Sequence, residues 1–319
     1  EVIKGETKLT QLNLIELSKE QFANRTLAKL SNEMINFLSE KEGITIDNFT
    51  EGNKKLIQFN QIKTKELFYN SIEIAQLKII ENALQTDTFA QMQKRLEERN
   101  LPKGMAILLH GLPGTGKTET VYQLAKQTQR NIYKVDISET KSMWFGESQK
   151  LIKKVFNDYY EMMKTESNCP ILLFNEADGI ISKRKELGNS NTAETENAIQ
   201  NIILEEMENF EGILFATTNL VKNMDAAFER RFLFKVQFDQ PSLENSAKIW
   251  KNKLPFLTDD EARRLAERFP FSGGEIENIT RKCVMNDLLT GSEIRFQQVV
   301  EFCKQEKWTD KKNVNKIGF

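Results

Sequence analysis

The chain has 319 residues, enough for two or three domains with cores of their own, and its 45 basic and 46 acidic residues leave a formal charge of −1. That balance lacks the cationic field of a nucleic-acid scaffold, and a content of 39% apolar and 29% charged residues is that of a soluble globular protein. No apolar run approaches the ~20 residues of a membrane span and no signal-peptide pattern is seen in the opening residues, while Cys169, Cys283 and Cys303 have no paired spacing, so a reducing, cytoplasmic compartment is expected.

The sequence opens at Glu1 rather than Met, as an excised fragment would. Residues 1–60 are polar, with one helical pattern in Leu27, Leu30, Met34, Phe37 and Leu38. This helical region names no chemistry; packing against the next domain and docking of a substrate both remain open. A second helical stretch, Thr64 to Arg99, carries Ile72, Ile74, Leu77, Ile80 and Leu84 and stops at Asn100-Leu-Pro-Lys-Gly104.

Met105 to Leu109 then reads as a buried parallel strand, and it empties into Gly111-Leu112-Pro113-Gly114-Thr115-Gly116-Lys117-Thr118. This fits G-x-x-x-x-G-K-[ST] without a mismatch, between a strand and a helix as the motif requires. The glycines allow successive N–H groups to face an anion, and the following helix, starting near Thr118 and Glu119, adds the positive end of its dipole. Lys117 is placed to reach the β- and γ-phosphates and the Thr118 hydroxyl to ligate Mg²⁺.

Ile132 to Ile137 reads as the second strand of this alternation, followed by a loop, Ser142-Met-Trp144-Phe145-Gly146-Glu-Ser148, and a helix with Leu151, Ile152, Val155, Phe156 and Tyr159 on one face. By composition Trp144 and Phe145 are aromatics folded under a loop. Pro170 to Asp178 is an apolar strand with Asn175, Glu176 and Asp178 at its end, where open α/β sheets bind ligands. Downstream of a phosphate loop, Glu176 is the candidate to take a proton from an attacking water. A helix near Thr192 to Phe210 leads to the strand Gly212 to Asn219, whose terminal amide is either a turn cap or a group that orients water. Arg230 and Arg231 stand just before the strand Leu233 to Phe238; one guanidinium of such a pair can stabilise charge in phosphoryl transfer. Past Pro241 only helices follow. Thr258…Glu261 and Ser272…Glu275 match capping boxes, and Phe296, Val299, Val300 and Phe302 mark a last helix before a polar tail.

From about Thr64 to Lys304 the chain resembles an AAA+ ATPase of the AAA clade. The resemblance implies a P-loop NTPase fold of the α/β class, a parallel sheet flanked by helices (61–240), then a small all-helical lid (241–306) and a polar tail (307–319). Gly111 to Thr118 resembles Walker A; Ile171 to Glu176 lies where Walker B is found; Asn219 matches sensor 1, and Arg230 with Arg231 the arginine-finger region. Gly274, in Ser272-Gly-Gly-Glu, resembles the small residue at the start of the clade's sensor-2 helix. Trp144, Phe145 and Gly146 resemble the pore loop of a second ATPase ring in the clade, which implies aromatics that grip an extended polypeptide. ATP and Mg²⁺, a hexameric homo-oligomer and a protein substrate are implied, with no membrane and no nucleic-acid partner.

Three departures stand out. Asn175 replaces the Walker B aspartate, which keeps an oxygen for a magnesium-bound water but removes the charge, so weaker Mg²⁺ binding is expected. The family's Arg-Pro-Gly-Arg is shortened to Arg230-Arg231, which leaves open which arginine reaches a neighbouring nucleotide. Residues 1–60 match no amino-terminal domain of the clade. A nucleotide-gated binding module with little hydrolysis and a nucleic-acid remodeller are the rival functions; the first is motivated by Asn175, and the second lacks a cationic track.

Overall fold

The computed structural model describes residues 8, 12, 14–19, 26–30, 56–137, 148–184, 191–219 and 224–306. They fall in two units, Glu1–Lys54 and Lys55–Phe319. In the first, β1 (Ile15–Lys19) and β2 (Thr26–Leu30) pair antiparallel, Ile15 opposite Leu30 and Lys19 opposite Thr26. Leu27 and Leu30, expected on a helix, therefore lie on a strand. The helical spacing that begins at Leu27 is only a local signal, and pairing with Ile15–Lys19, whose Ile15-Glu-Leu-Ser alternates with a period of two, overrides it for these two residues. Met34, Phe37 and Leu38 lie outside the described residues.

The second unit is built on strands β3 (Leu56–Ile57), β4 (Met105–Gly111), β5 (Ile132–Asp136), β6 (Ile171–Asn175), β7 (Ile213–Thr218) and β8 (Phe234–Phe238), ordered β3-β5-β6-β7-β4-β8. The five longer strands are parallel to their neighbours, and β3 runs antiparallel along the β5 edge. The sheet is thus mixed rather than wholly parallel. The helices are α1 (Ser71–Leu84), α2 (Thr86–Glu98), α3 (Lys117–Gln127), α4 (Ser148–Thr165), α5 (Asp178–Ile181), α6 (Asn191–Glu208) and α7 (Ala226–Glu229). Beyond β8 follow α8 (Leu243–Lys253), α9 (Asp259–Arg268), α10 (Gly273–Thr290) and α11 (Phe296–Glu306).

Alternation along each strand sends side chains to two cores, which is why the strands read as unbroken apolar runs. Met105, Ile107 and Leu109 pack with Leu77, Ile80 and Leu84 of α1 and Val121 and Leu124 of α3. Ala106 and Leu108 face Phe156 and Tyr159 of α4 and Ile199 and Ile203 of α6. The expected helical stretch before the loop is two helices that meet at Gln85, and it buries only part of its apolar pattern: Ile72 and Ile74 are exposed. A third core, with Trp250, Leu265, Ile276 and Val299, holds α8 to α11 together as a helical domain. Both expected capping boxes form, at Thr258 with Glu261 and at Ser272 with Glu275.

The helical domain is tied down where it leaves the sheet. Asn70, the N-cap of α1, donates through Nδ2 to Gln240 O (3.1 Å) and accepts the Ser242 N–H at Oδ1 (2.9 Å). Glu73, one turn on, accepts the Asp239 N–H at 3.0 Å. These bonds satisfy the linker's polar groups at the junction and seat the start of α8 beside the phosphate loop.

Candidate active site

The loop from Gly111 to Gly116 leaves β4 at the carboxyl end of the sheet and turns into α3. Gly111, Gly114 and Gly116 take φ of +138°, +72° and +94°. At Gly111 even the space is closed: a Cβ there would lie 2.0 Å from the Phe238 carbonyl oxygen of the neighbouring β8. Thr115 Oγ1 donates to Leu112 O at 2.8 Å and closes the turn. Lys117 folds back over it, with Nζ donating to Gly111 O (3.0 Å) and Leu112 O (2.7 Å). Burial to 8% exposure pushes its ammonium down to about 8, against the opposing pull of the Asp178 carboxylate.

Next to the lysine, Thr118 Oγ1 donates to Asn175 Oδ1 at 2.8 Å, and Thr217 Oγ1 donates to the same oxygen at 3.2 Å. Asn175 Nδ2 donates in turn to Asp136 Oδ1 at 2.7 Å. Glu176 follows with φ of +53°, its N–H donating to Thr217 Oγ1 at 3.1 Å. Thr218 Oγ1 and the Asn219 N–H (2.9 Å) both donate to Asp178 Oδ1, which pins the tip of β7 beside the start of α5. Lys117, Thr118, Glu119, Glu176 and Asn219 thereby line one cleft of about 350 Å³, with Pro113 and Tyr122 on its rim. A second cleft, of about 240 Å³, lies across the loop, between Tyr69, Gly116, Pro241, Ile249 and Gly274. A larger cavity, of about 740 Å³, sits among α8 and α9 and touches no loop residue.

The donors fit a small hard cation. A threonine hydroxyl and an amide oxygen face each other beside a carboxylate tip, and Mg²⁺ takes few protein oxygens, filling its octahedron with waters and substrate phosphates. Among the described residues no cluster of three His, Cys, Asp or Glu forms a cage that would hold a metal without nucleotide.

The two arginines separate. Arg231 is bound inside its own subunit, through Nε to Leu204 O (3.2 Å), Nη1 to Ala227 O (2.9 Å) and Nη2 to the Glu208 carboxylate. Arg230 is exposed, and its guanidinium makes no hydrogen bond or ion pair among the described residues; only its backbone N–H is engaged, donating to Ala226 O. Trp144, Phe145 and Gly146 lie outside the described residues. Asp136 and Thr217, which hold Asn175 and Glu176 in place, were not signalled by any motif, and Asp178 was marked only as a strand-end carboxylate; each gains its meaning from a neighbour on another strand or turn. Among the described residues no helix is long and apolar enough to cross a membrane, and all three cysteines are free.

A mainly parallel sheet that delivers a glycine-rich loop and its lysine to one side of a cleft, and a carboxylate from a nearby strand tip to the other, defines a P-loop nucleoside-triphosphatase fold followed by a helical domain. Residues 107–240 match the family model described as "ATPase family associated with various cellular activities (AAA)". Over these residues the chain carries an AAA-type domain. It is 31% identical over 192 residues to protein CdcH of Halobacterium salinarum (57% of this chain, 25% of that one). It is 30% identical over 205 residues to the proteasome-activating nucleotidase of Aeropyrum pernix (60% of this chain, 48% of that one). The chain thus spans a quarter to about half of the length of these relatives. The crystal structure of the FIGL-1 AAA domain superposes with a TM-score of 0.59 at 19% identity, over 86% of this chain and 89% of that one, and speaks for the fold alone.

Proposed function

We propose that this chain binds ATP with Mg²⁺ at Gly111 to Thr118, hydrolyses it, and uses the cycle to remodel or unfold protein substrates as a homo-oligomeric, hexameric ring in the cytoplasm. The observation that carries the reading is the single cleft in which Glu176 and Asn219 face Lys117 and Thr118. Lys117 and the loop amides hold the β- and γ-phosphates, displacing the two carbonyls that Lys117 Nζ now contacts. Thr118 and, through a water, Asn175 would hold Mg²⁺, which would supply positive charge against the phosphates. Glu176 accepts a proton from a water that Asn219 orients; the water oxygen bonds to the γ-phosphorus as the bridging bond to ADP breaks.

Arg230 is the arginine offered to the nucleotide of a neighbouring subunit, because Arg231 is already held by Glu208 and two carbonyls. A site completed in trans makes turnover depend on assembly. Remodelling of proteins rests on the aromatic loop Trp144-Phe145-Gly146 and on the company of relatives, one of them named a proteasome-activating nucleotidase.

The test measures steady-state phosphate release against protein concentration, with and without an unfolded polypeptide. Release per subunit is expected to rise with concentration, to vanish in Glu176→Gln while ATP binding persists, and to lose polypeptide stimulation in Trp144→Ala. Concentration-independent turnover by a strict monomer removes the shared site, and equal stimulation in parent and Trp144→Ala removes the grip. One observation favours a second reading, a nucleotide-gated binding module: Asn175 carries no charge where the cation sits. Robust phosphate release that Glu176→Gln abolishes rules it out.

A further inference from the structure

We propose that Asp136 is the positioning residue that fixes which end of the Asn175 amide faces the cation. The inference rests on the nucleotide reading above and adds a residue to it. Asp136 ends β5 and Asn175 ends β6, and the parallel register places them directly opposite each other, so both side chains emerge together beside the phosphate loop.

Asn175 has an acceptor at one end of its amide and donors at the other, in outline nearly the same. Its neighbours are Thr118 Oγ1 and Thr217 Oγ1 around Oδ1, and Asp136 Oδ1 against Nδ2. A hydroxyl donates or accepts with equal ease, so neither threonine sets the amide's direction. A carboxylate only accepts. With Asp136 at 2.7 Å, turning the amide over would set two acceptor oxygens face to face. Asp136 therefore holds the NH₂ end on itself and leaves the oxygen toward Thr118. The Lys134 ammonium, 2.9 Å from Asp136 Oδ2, fixes the carboxylate from its far side.

The direction matters only because residue 175 is an amide. An aspartate presents an oxygen whichever way it turns. An asparagine presents an oxygen in one orientation and an NH₂ in the other, and neither a hard cation nor a water bound to it accepts an NH₂ in place of an acceptor oxygen. Carboxylates that orient a ligand from behind typically change metal affinity 10–100-fold when removed.

The experiment uses the full chain with a non-hydrolysable ATP analogue and reads two quantities: analogue affinity in EDTA, and Mn²⁺ affinity of the analogue complex by electron paramagnetic resonance. Asp136→Ala is expected to weaken Mn²⁺ binding roughly 10-fold or more while analogue affinity in EDTA holds within about 2-fold. In the Asn175→Asp background, where no amide needs orienting and Asp136 would only face a second carboxylate, the same substitution is expected to cause no loss of Mn²⁺ affinity. Equal losses in both backgrounds mean that Asp136 acts by charge alone, and no loss with Asn175 present means that it does nothing; either result overturns the proposal. Loss of analogue binding in EDTA by Asp136→Ala alone overturns it too, as a structural role. A parent protein that binds no analogue at all instead sinks the nucleotide reading, and this inference with it.

Discussion

Gly274 donates its backbone N–H to the Gly114 carbonyl at 2.8 Å, which plants the first turn of α10 on the phosphate loop. The contact joins the helical domain to the loop without a side chain, and it exists because both residues lack one. A Cβ on Gly274 would lie 2.9 Å from Gly114 Cα, and one on Gly114 would lie 2.8 Å from Ser272 Oγ. Any movement of the helical domain against the sheet therefore pulls on the loop.

Gly273 and Gly274 are neighbours in one helix turn, yet they should respond differently to alanine. A Cβ on Gly273 meets nothing nearer than Gly114 O at 3.4 Å, an ordinary contact. Gly274→Ala must push backbone against backbone, an overpacking of about 1–3 kcal/mol. If the loop yields, that is about a 10-fold or greater loss of nucleotide affinity. Gly273→Ala should leave affinity unchanged and the helix slightly more stable. Titration of a fluorescent ATP analogue compares them, and equal affinities for the two variants would show that the helix does not bear on the loop.

Arg230→Ala and Arg231→Ala should separate turnover from stability. Arg231 is 14% exposed at its side chain and holds α6 and α7 together through Leu204, Glu208 and Ala227. Its removal leaves two carbonyls and a carboxylate without their donor, a loss of about 1.5–3 kcal/mol visible as a lower Tm. Arg230→Ala should stay within about 0.5 kcal/mol of the parent. It should nevertheless lower hydrolysis by about 10³-fold if its guanidinium reaches a neighbour's nucleotide. A normal rate in Arg230→Ala assigns the finger elsewhere.

What the sequence disclosed and what it withheld divide along a physical line. The loop Gly111 to Thr118 and the strands of Met105, Ile171 and Ile213 are local: a motif of fixed spacing, and apolar runs that must be continuous because both faces of the sheet are covered. The capping boxes at Thr258 and Ser272 are equally local. Strand β3 is only two residues long and carries no period at all. Leu27 and Leu30 misled because helical spacing of apolar residues is a local signal, which pairing with Ile15–Lys19 overrides. Asp136, Thr217 and Asp178 act on residues 39, 41 or 42 positions away and become readable only through the register of neighbouring strands and turns. The choice between Arg230 and Arg231 depends on Glu208, which no spacing rule connects to them.

Lys117 makes nucleotide binding depend on pH. In the nucleotide-free protein its ammonium sits at about 8, below the 10.5 of an unburied lysine, because burial penalises the charge. The unfolded chain thus holds more protons between these values, and this residue's contribution to stability rises with pH across that window. A bound triphosphate favours the charged form and raises the value again, so binding takes up a proton. Affinity should be level below about pH 7.5 and fall as pH passes about 8. Calorimetry in two buffers of different ionisation enthalpy reads the proton directly; no uptake at pH 8.5 or so would mean that the lysine stays away from the phosphates.

Thr217 should matter to catalysis more than to binding. Its hydroxyl, 2% exposed, accepts the Glu176 N–H and donates to Asn175 Oδ1, using both kinds of capacity a hydroxyl has. Glu176 sits at φ of +53°, a conformation that non-glycine residues hold only where surrounding contacts impose it. Valine keeps the strand and the branched shape at 217 but leaves that N–H unpaired, a loss of about 1–3 kcal/mol. The backbone at Glu176 is then free to relax toward a commoner conformation, which moves the carboxylate off the line to an attacking water. A displacement of about 1 Å at such a group lowers kcat up to roughly 100-fold. No hydrogen bond joins Thr217 to Lys117 or to the loop amides, so ATP analogue affinity in EDTA should be preserved. Single-turnover hydrolysis beside an equilibrium titration distinguishes the two; parental turnover in Thr217→Val would show that the left-handed backbone at Glu176 needs no such anchor.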